Sequence, residues 1–483
     1  MHYIRLGQRT INAVRFAEVL QVLVRHGFAD LLRRAGFHDS LPARVLRGLN
    51  LMEAPGGEPA TFGERLCAAL TELGPTFIKF GQVLSTRPDL VGPKIADDLR
   101  ELQDQVDPLP FDAMSAVFVQ EFDRSPGELY AAFNTVPVAS ASLSQVYRAT
   151  LASGEAVAVK VLRPGVEKTI ESDISLMRDI AEWVAGHVED VKWLDPVGIV
   201  DEFARSVRRE LDFHIEARII ETFRKNFEDS ENIFIPRVHR QLSTQRVLTM
   251  DWVDGARIDR IEEYPARNCD PHTIAVLGCE TLCRMVFEHR MFHADPHPGN
   301  IFILRDNRVA FLDLGMAGHL ERSDVTAIAD LFLAIFHEDS EECVEAILNL
   351  SAEIADFIAF EAHAIIGGGQ VAKGIDRAIQ ILRKYNLELA PRFSLLLKAL
   401  GTVETVGRNL DPQLDFVTII QPYVENLVYA RYQPQQILRS CQRLPEIEPA
   451  IAPGPRPPPL PVAAGPREIP GLPRTSRQPC RHH

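Results

Sequence analysis

Aspartate and asparagine side chains recur at short spacing between His293 and Gly315 of this chain. Asp295, Asn300 and Asp313 stand among Pro and Gly residues, and apolar segments flank them. Carboxylate and amide oxygens suit Mg²⁺, and a carboxylate beside a hydroxyl can accept its proton. These residue types predict a site for a nucleoside triphosphate. In it Asn300 and Asp313 bind Mg²⁺, and Asp295 accepts the proton of the hydroxyl that receives the phosphoryl group.

The segment between Asn300 and Asp313 predicts how the metal ligands meet. "IFILRDNRVAFL" has two apolar runs separated by Asp306 and Asn307, a pair typical of a hairpin turn. A hairpin brings its two ends together, so both ligands should lie at one end. A competing hypothesis makes the two histidines of "HADPH" zinc ligands, but the oxygen donors favour Mg²⁺.

The same spacing occurs in protein kinases, whose H-R-D-x-x-x-x-N loop precedes a D-F-G turn. Here "HADPHPGN" (residues 293–300) gives H-x-D-x-x-x-x-N, and "DLG" (residues 313–315) takes the place of D-F-G. Upstream, Lys160 ends the strand-like segment "AVAVK", where a lysine would reach the α- and β-phosphates. Alone, Lys160 would be read as a snorkelling strand lysine, but the downstream loop favours the phosphate role.

A carboxylate from a helix must then orient Lys160. The segment "RRELDFHIEARIIETF" offers Glu210, Asp212 and Glu216. If this segment is one helix, Glu210 and Glu216 lie ~240° apart and cannot address one point. One of them is therefore expected at Lys160 while the other faces elsewhere.

Composition and periodicity predict the surrounding elements. The 483 residues are 46% hydrophobic and 24% charged, which is typical of a globular chain with more than one subdomain. The net charge of −14 argues against a general nucleic-acid binder. Residues 136–162 alternate and predict a strand, a small-residue loop, a strand, a turn and a third strand. Helical patterns occupy about 168–228 and most of 271–437, which makes the fold class α+β.

The two ends of the chain differ from this core. The first 50 residues carry eight arginines and three acidic residues on an amphipathic helical pattern. Its basic side is either the solvated face of a core-packing helix or an attachment to an anionic membrane surface. No apolar run reaches ~18 residues, so no transmembrane helix is predicted. The tail from residue 445 contains twelve prolines and is expected to be disordered.

Five separated motifs in this order resemble those of the UbiB family of atypical kinases, which is linked to ubiquinone biosynthesis. They are "KFGQ" (79–82), "ASAS" (139–142), "ELD" (210–212), "HADPHPGN" and "DLG". The resemblance covers roughly residues 10–440. It implies a kinase-like two-lobed fold, with a small β-rich N-lobe, a helical C-lobe and an N-terminal helical extension.

The resemblance also implies a division of the chain. The expected parts are a helical extension with the "KFGQ" gate (1–110), a kinase-like N-lobe (111–255), a helical C-lobe (256–440) and a Pro-rich tail (441–483). Family members commonly continue into a C-terminal hydrophobic segment, and this chain becomes Pro-rich there. The implied location is cytoplasmic and peripheral to the inner membrane.

Roles of single residues follow from the same resemblance. Asp295 and Lys160 are the implied catalytic residues, and Glu216 takes the place of the lysine-pairing glutamate. ATP or ADP with Mg²⁺ is the implied cofactor. The nucleotide is expected at the Ala-rich loop and the strand residues beside it, namely Val138, Ala139, Ser140, Ala141, Ser142, Leu143, Ser144, Gln145 and Val146.

The "KFGQ" segment is interpreted as a gate. Lys79 and Gln82 project from one face of a helix, and the glycine between them allows close approach to another backbone. A buried lysine needs an acidic partner, for which Glu210 and Asp212 are the candidates. The alternative is that Lys79 ends in solvent. If the lysine is buried, this helix covers the cleft where a peptide substrate would lie.

Departures from ordinary kinases shape the functional hypotheses. Ala294 replaces the arginine of H-R-D, no A-P-E segment follows, and alanines restrict the phosphate loop. These features argue against protein phosphorylation in trans. The favoured hypothesis is a UbiB-type ATPase or small-molecule (lipid) kinase that supports quinone synthesis. An aminoglycoside- or choline-kinase-like phosphotransferase and a non-catalytic nucleotide-sensing scaffold remain as alternatives.

The expected partners follow from the favoured hypothesis. They are a nucleotide, an anionic membrane surface or a lipid-like quinone precursor, enzymes of quinone biosynthesis and a second copy of the chain in a homodimer. Nucleic acid is not an expected partner.

Overall fold

Helices make up most of residues 2–29, 61–102, 106–187, 195–336 and 391–431, the parts of the chain that this computed structural model describes. The helices are α1 (His2–Arg25), α2 (Phe62–Leu73), α3 (Pro75–Ser85), α4 (Pro88–Val91), α5 (Pro93–Leu99), α6 (Phe111–Phe122), α7 (Pro126–Leu129), α8 (Val166–His187), α9 (Pro196–Glu210), α10 (Phe213–Asn226), α11 (Pro271–Cys283), α12 (Arg322–Phe336), α13 (Pro391–Leu410) and α14 (Phe416–Arg431). The strands are β1 (Ala132–Phe133), β2 (Ala139–Ser140), β3 (Ser144–Thr150), β4 (Ala156–Leu162), β5 (Ile233–Phe234), β6 (Val247–Asp251), β7 (Ala256–Arg257), β8 (Met291–His293), β9 (Ile301–Ile303), β10 (Val309–Phe311) and β11 (Ala317–His319).

The first sheet is antiparallel and has five strands. The path runs β1-β3-β4-β6, and β2 pairs with β3 beside β1. The valines of β4 are fully buried and pack against α6, whereas Lys160 lies on the opposite face because side chains alternate along a strand. Lys160 stands opposite Val146 on β3 and Leu248 on β6. The alternation in "AVAVKVL" therefore aims the lysine away from the α6 core.

The predicted hairpin after Asn300 is confirmed. Strands β9 and β10 pair antiparallel with Phe311 opposite Ile301, β5 joins β10 in parallel, and β7 joins β9. Asp306 and Asn307 have φ values of 59° and 56°, the left-handed conformation that a tight hairpin turn requires. A separate pair, β8 with β11, lies on either side of this hairpin in sequence.

Helices α2 and α3 join at Gly74. Helix α2 begins with a capping box in which Thr61 and Glu64 bond each other's backbone N–H groups. Gly74 has φ of 96°, which favours glycine, and Pro75 starts α3. Helix α3 carries the "KFGQ" motif.

The helical region predicted over residues 168–228 is divided into α8, α9 and α10. Helix α9 ends at Glu210, and the Asp212 side chain caps α10 by accepting a backbone N–H of its first turn. The premise that Glu210 and Glu216 share one helix is therefore wrong. An aspartate that caps a new helix resets the direction in which the following side chains point.

The arginine-rich start of the chain forms α1 as far as Arg25, and residues 30–60 lie outside the described parts. Arg15 Nε donates to Asp173 Oδ1 on α8 at 2.9 Å, and the Arg15 guanidinium lies 5.5 Å from the centre of the Phe77 ring on α3. Arg25 pairs with a glutamate of α2. Two of the arginines thus hold α1 against the helices next to it.

Several further sequence predictions can be placed. The mixture of antiparallel sheets and helices confirms the α+β class. The Pro-rich tail lies outside the described residues, and the proposed boundaries at 110, 255 and 440 stay predictions. Across the described parts of the chain, no helix is both long enough and apolar enough to cross a membrane.

Candidate nucleotide site

Lys160 and Glu216 form the centre of the site. Lys160 Nζ lies 3.0 Å from both carboxylate oxygens of Glu216. Glu216 is 5% exposed. Burial raises the pKa of Glu216 and the Lys160 ammonium opposes that rise. Glu216 therefore reaches the strand lysine from the first turn of α10, as the resemblance implied.

Asp313 completes a cluster of three charges. Its Oδ1 lies 3.0 Å from Lys160 Nζ. Burial opposes the charge of Lys160, but Asp313 and Glu216 raise the pKa of Lys160 above its usual value. The Lys160 ammonium lowers the pKa of Asp313, and the charge of Lys79 adds to this effect. Asp313 has φ of 49°, a conformation that aspartate tolerates better than bulkier residues.

Local structure explains how α10 presents its glutamate. Asp212 begins the helix, so Phe213 and Glu216 both fall in its first turn and face back toward the sheet. Phe213 is buried, and Lys160 Nζ lies 5.5 Å from the centre of its ring. The lysine thus has a charged partner and an aromatic neighbour on the same helix.

The loop of residues 293–300, which carries the predicted catalytic Asp295, is held mainly by backbone hydrogen bonds. Asn300 Nδ2 donates to the Asp295 carbonyl at 3.2 Å, and the His297 backbone N–H donates to the same oxygen at 2.8 Å. The backbone N–H of Leu312 donates to the Asn300 carbonyl at 2.8 Å. Asn300 and Asp313 therefore lie at the same end of the β9–β10 hairpin.

The two histidines of the loop, His293 and His297, hold its backbone in place through hydrogen bonds. His293 Nδ1 accepts the Asp295 backbone N–H at 3.3 Å, and His297 Nδ1 accepts the Gly299 backbone N–H at 3.1 Å. His293 is buried, and burial lowers its pKa, which keeps the ring neutral. Because Nδ1 of each ring accepts a backbone N–H, a neutral ring carries its proton on Nε2 and has no nitrogen lone pair free for zinc, which disfavours the zinc hypothesis.

The Ala-rich loop is tied to the strand that carries the lysine. Arg163 follows β4, and its guanidinium donates to the Ala141 carbonyl at 2.9 Å, to Ser140 Oγ at 2.8 Å and to the Asp107 carbonyl at 2.9 Å. The Ala141 backbone N–H also bonds the Ser144 carbonyl at 2.8 Å. This loop is therefore cross-linked by one arginine, in keeping with the restricted freedom that its sequence predicts.

The other residues predicted to bind nucleotide divide between two faces of the sheet. Val138 is half exposed, and its backbone N–H bonds the carbonyl of Val146, which stands opposite Lys160. These valines form an apolar surface beside the lysine. Gln145 points the other way, because its Nε2 donates to Tyr147 Oη at 2.7 Å and its Oε1 accepts the Leu109 backbone N–H at 2.7 Å. Leu143 and the neighbouring Ser142 and Ser144 are buried.

The "KFGQ" helix meets the same region. Lys79 Nζ lies 3.1 Å from Glu210 Oε2 at the end of α9, so Glu210 is the partner that the structure places beside this lysine. Gln82 Nε2 donates to the Leu102 carbonyl at 3.3 Å. A Cβ at Gly81 would lie 2.3 Å from Leu102 Cδ1 and 2.7 Å from Leu70 Cδ1. Close packing does require this glycine, but its near neighbours are leucine side chains where a backbone was predicted.

The donor set fits Mg²⁺. Asn300 uses its amide nitrogen on the Asp295 carbonyl, so its oxygen is the atom that can bind a metal. Asp313 supplies a carboxylate at the same end of the hairpin, where β10 ends, and both are hard oxygen donors. Asn300 and Asp313 are the residues that would hold Mg²⁺ with the nucleotide phosphates.

Sequence analysis missed three residues of this region. Arg163 clamps the Ala-rich loop and Phe213 underlies Lys160. The third is Lys398 on α13, whose Nζ lies 2.9 Å from Asp295 Oδ1. For Lys398 the available signal was a single charge in the apolar run "SLLLKAL".

Comparison with known proteins agrees with this geometry. Residues 101–347 match the ABC1 atypical kinase-like domain, and residues 370–415 match the UbiB helical domain. The structure is similar to that of a Mycobacterium tuberculosis protein solved in complex with erythromycin, with a TM-score of 0.51 over 70% of this chain and 89% of that chain. At 21% identity this similarity concerns the fold. Fold and site together define a kinase-like protein.

Relatives of known family show which family of kinase-like proteins this chain belongs to. The chain is 34% identical over 453 residues to the "Probable protein kinase UbiB" of Cellvibrio japonicus, covering 90% of this chain and 80% of that protein. It is 36% identical over 406 residues to the protein of the same name from Xylella fastidiosa, covering 80% and 73%. This chain belongs to the UbiB family of atypical kinase-like proteins, which confirms the resemblance and its kinase-like fold.

Proposed function

We propose that this chain binds Mg-nucleotide and acts as a UbiB-type ATPase or as a kinase for a small lipid-like acceptor, in support of ubiquinone biosynthesis. The observation that supports this proposal most strongly is the cluster of Lys160, Glu216 and Asp313. In it both carboxylates lie 3.0 Å from the Lys160 ammonium. Phosphoryl transfer requires a fixed positive charge next to the nucleotide phosphates, and Lys160 would supply it. Lys160 lies beside Asp313, the proposed metal ligand at the end of the β9–β10 hairpin.

The residues divide the work of phosphoryl transfer. Lys160, oriented by Glu216, binds the α- and β-phosphate oxygens, and Val138 and Val146 offer an apolar surface to the base. The oxygen of the attacking water or acceptor hydroxyl forms a bond to the γ-phosphorus, and Asp295 accepts the proton that this oxygen loses. The bond from that phosphorus to the bridging oxygen breaks, and its electron pair leaves with ADP. Bound Mg²⁺ supplies charge neutralisation on the phosphate oxygens.

The "KFGQ" helix supports the choice of a small acceptor. Lys79 lies close enough to Asp313 to lower the pKa of that carboxyl, and it is anchored to Glu210 at 3.1 Å. A helix in this place competes with a peptide substrate for the space over the cleft. The choline-kinase-like alternative offers no account of this added helix.

The test is ATP hydrolysis by the purified full-length chain. We expect slow hydrolysis that depends on Mg²⁺ and rises with anionic liposomes or a phenolic quinone precursor. Casein-like proteins should not be phosphorylated. Nucleotide binding without turnover under every condition would leave the scaffold hypothesis, and a deletion strain without an accumulated quinone intermediate would contradict the link to quinone synthesis.

We also propose peripheral attachment to an anionic membrane through the arginine-rich N-terminal region. Arg15 and Arg25 are engaged by Asp173 and Glu72, so the other basic residues of the first 50 would have to contact the lipid. Each basic residue near the surface adds about 1 kcal/mol at most. Co-sedimentation with cardiolipin-containing liposomes should therefore weaken at high salt. Equal binding to neutral vesicles, or none, would contradict this attachment.

A further inference from the structure

Helix α13 carries a lysine that points at the catalytic carboxylate. Leu396, Ala399 and Leu400 are buried, yet Lys398 between them extends its ammonium to 2.9 Å from Asp295 Oδ1. The side chains of Lys398 and Asp295 are 22% and 36% exposed. This ion pair joins residues more than one hundred positions apart in the chain, in separate elements of the C-lobe.

The pair is not needed to attach the helix. Helix α13 has its own anchor, since Arg392 Nε lies 2.9 Å from Asp324 Oδ2 on α12, and its apolar residues belong to the main core. The catalytic loop is likewise fixed without Lys398, because the carbonyl of Asp295 accepts two hydrogen bonds from within the loop. What Lys398 contacts is the carboxylate itself, the group to which the transfer step assigns the proton.

Charge explains why that carboxylate needs a cation. A bound nucleotide brings several negative charges into the cleft, and these charges repel a carboxylate and turn its oxygens away from the phosphates. An ammonium at hydrogen-bond distance offsets this repulsion and fixes the direction of the carboxylate oxygens. Lys160 is already engaged by Glu216 and Asp313, so it is Lys398 that meets Asp295.

We propose that Lys398 is a positioning residue for phosphoryl transfer, which holds the Asp295 carboxylate directed at the acceptor hydroxyl. The inference rests on the proposed function. In the step, the acceptor proton moves to Asp295, the acceptor oxygen bonds the γ-phosphorus, and ADP leaves with the electron pair of the broken bond. Lys398 keeps its protons throughout. The segment matched to the UbiB helical domain thus contributes to the active site.

The experiment compares Lys398→Met, Lys398→Arg and Arg392→Met in the full-length chain. For Lys398→Met we expect kcat for ATP hydrolysis to fall about tenfold or more, since a misdirected base loses part of a 10²–10⁴-fold contribution. KM for ATP and the thermal shift with Mg-ADP should change less than about twofold, because Lys160 and the metal ligands are untouched. Lys398→Arg should restore much of kcat.

Arg392→Met is the matched control. It breaks an ion pair of the same helix with α12, so it should lower the melting temperature and leave kcat close to that of the wild type. In a chain that already carries Asp295→Asn, Lys398→Met should add little further loss, because the two residues act through one carboxylate.

The outcomes separate this inference from the proposed function. If the wild-type chain hydrolyses ATP and the Lys398→Met variant does so equally well, that result overturns the inference alone. So does an equal loss of kcat in Arg392→Met, which would assign the effect to helix packing. A wild-type chain that binds Mg-nucleotide but never turns it over overturns the catalytic proposal and this inference together.

Discussion

Two lysine–glutamate pairs of the same chemistry meet at one cleft from different parts of the chain. Lys160 pairs with Glu216 at 3.0 Å, and Lys79 pairs with Glu210 at 3.1 Å. The first pair joins a strand of the five-stranded sheet to the start of α10. The second joins α3 of the N-terminal extension to the end of α9. Asp212 lies between the two glutamates and separates their helices.

The pairs differ in what else they contact. Lys160 also bonds Asp313 and lies over Phe213, and its glutamate is buried, so this pair belongs to the core of the kinase-like fold. Glu210 is more exposed, with 20% of its side chain accessible. The comparison teaches that the fold builds one buried pair into the kinase-like core and uses a second, more accessible pair to hold an added helix beside it.

The largest expected effect comes from breaking the core pair. Lys160→Met leaves Glu216 buried without a counter-charge, which should destabilise the chain by about 3 kcal/mol. The thermal shift with Mg-ADP should disappear. Denaturant unfolding and differential scanning fluorimetry measure the two effects. Lys168→Met, at an exposed lysine of α8, is the control and should change neither; a retained nucleotide shift in Lys160→Met would contradict the comparison.

Loss of the Asp313 carboxylate should destabilise the chain less than loss of Lys160 and still remove nucleotide binding, because Lys160 keeps Glu216 as its partner. Asp313→Asn takes away the negative charge while keeping a residue that tolerates φ of 49°. We expect Mg²⁺-dependent stabilisation by nucleotide to vanish, as measured with and without EDTA. Asp306→Asn makes the same change at the far end of the hairpin, at φ of 59°, and should behave as wild type. Equal shifts in both variants would exclude Asp313 as a metal ligand.

Breaking the outer pair should have a smaller effect on folding and a qualitatively different effect on function. Lys79→Ala should cost about 1 kcal/mol or less, since the pair is partly exposed. Nucleotide affinity should change, or autophosphorylation should appear, because the helix is released from α9. Lys94→Ala, at an exposed lysine of α5, is the control. If the wild-type chain phosphorylates casein-like proteins and the Lys79→Ala variant behaves identically, the hypothesis that the "KFGQ" helix is a gate is wrong.

The smallest expected effect concerns His293, a buried histidine with a neutral ring. Burial lowers the pKa of His293 below its ordinary value of 6.5, so the unfolded chain binds a proton more readily than the folded one. The stability from this residue is complete above pH 6.5 and declines as pH falls below it. His293→Gln should flatten that part of the stability curve in denaturant titrations from pH 7 to 5. An unchanged slope would show that His293 has the same pKa in the folded and the unfolded chain.

Much of the site could be anticipated from local patterns. The alternation in β4 turned Lys160 away from the valine core, and the turn at Asp306 brought Asn300 and Asp313 to one end of a hairpin. Both follow from periodicity over fewer than about 15 residues, where backbone geometry determines which side chains share a face. The opposite placement of Gln145 follows the same alternation, although resemblance to a loop motif hid it.

Contacts between distant elements were beyond such patterns. The separate directions of Glu210 and Glu216 depended on a helix break that one capping aspartate introduces. Arg163 meets the Ala-rich loop, and Lys398 meets Asp295, only because the packing of whole helices and sheets brings those elements together. A lone arginine after a strand and a lone lysine in an apolar helix have many compatible partners in the sequence.

The sequence by itself determined the motifs, their order, the strand that carries Lys160 and the hairpin that joins Asn300 to Asp313. It could do so because these features depend on short-range backbone geometry and on residue chemistry. Tertiary structure decided which carboxylate each lysine meets: Glu216 and Asp313 for Lys160, Glu210 for Lys79 and Asp295 for Lys398. The physical reason is that burial makes an unpaired charge costly, so the partner is set by whichever opposite charge the packed core brings within hydrogen-bond distance.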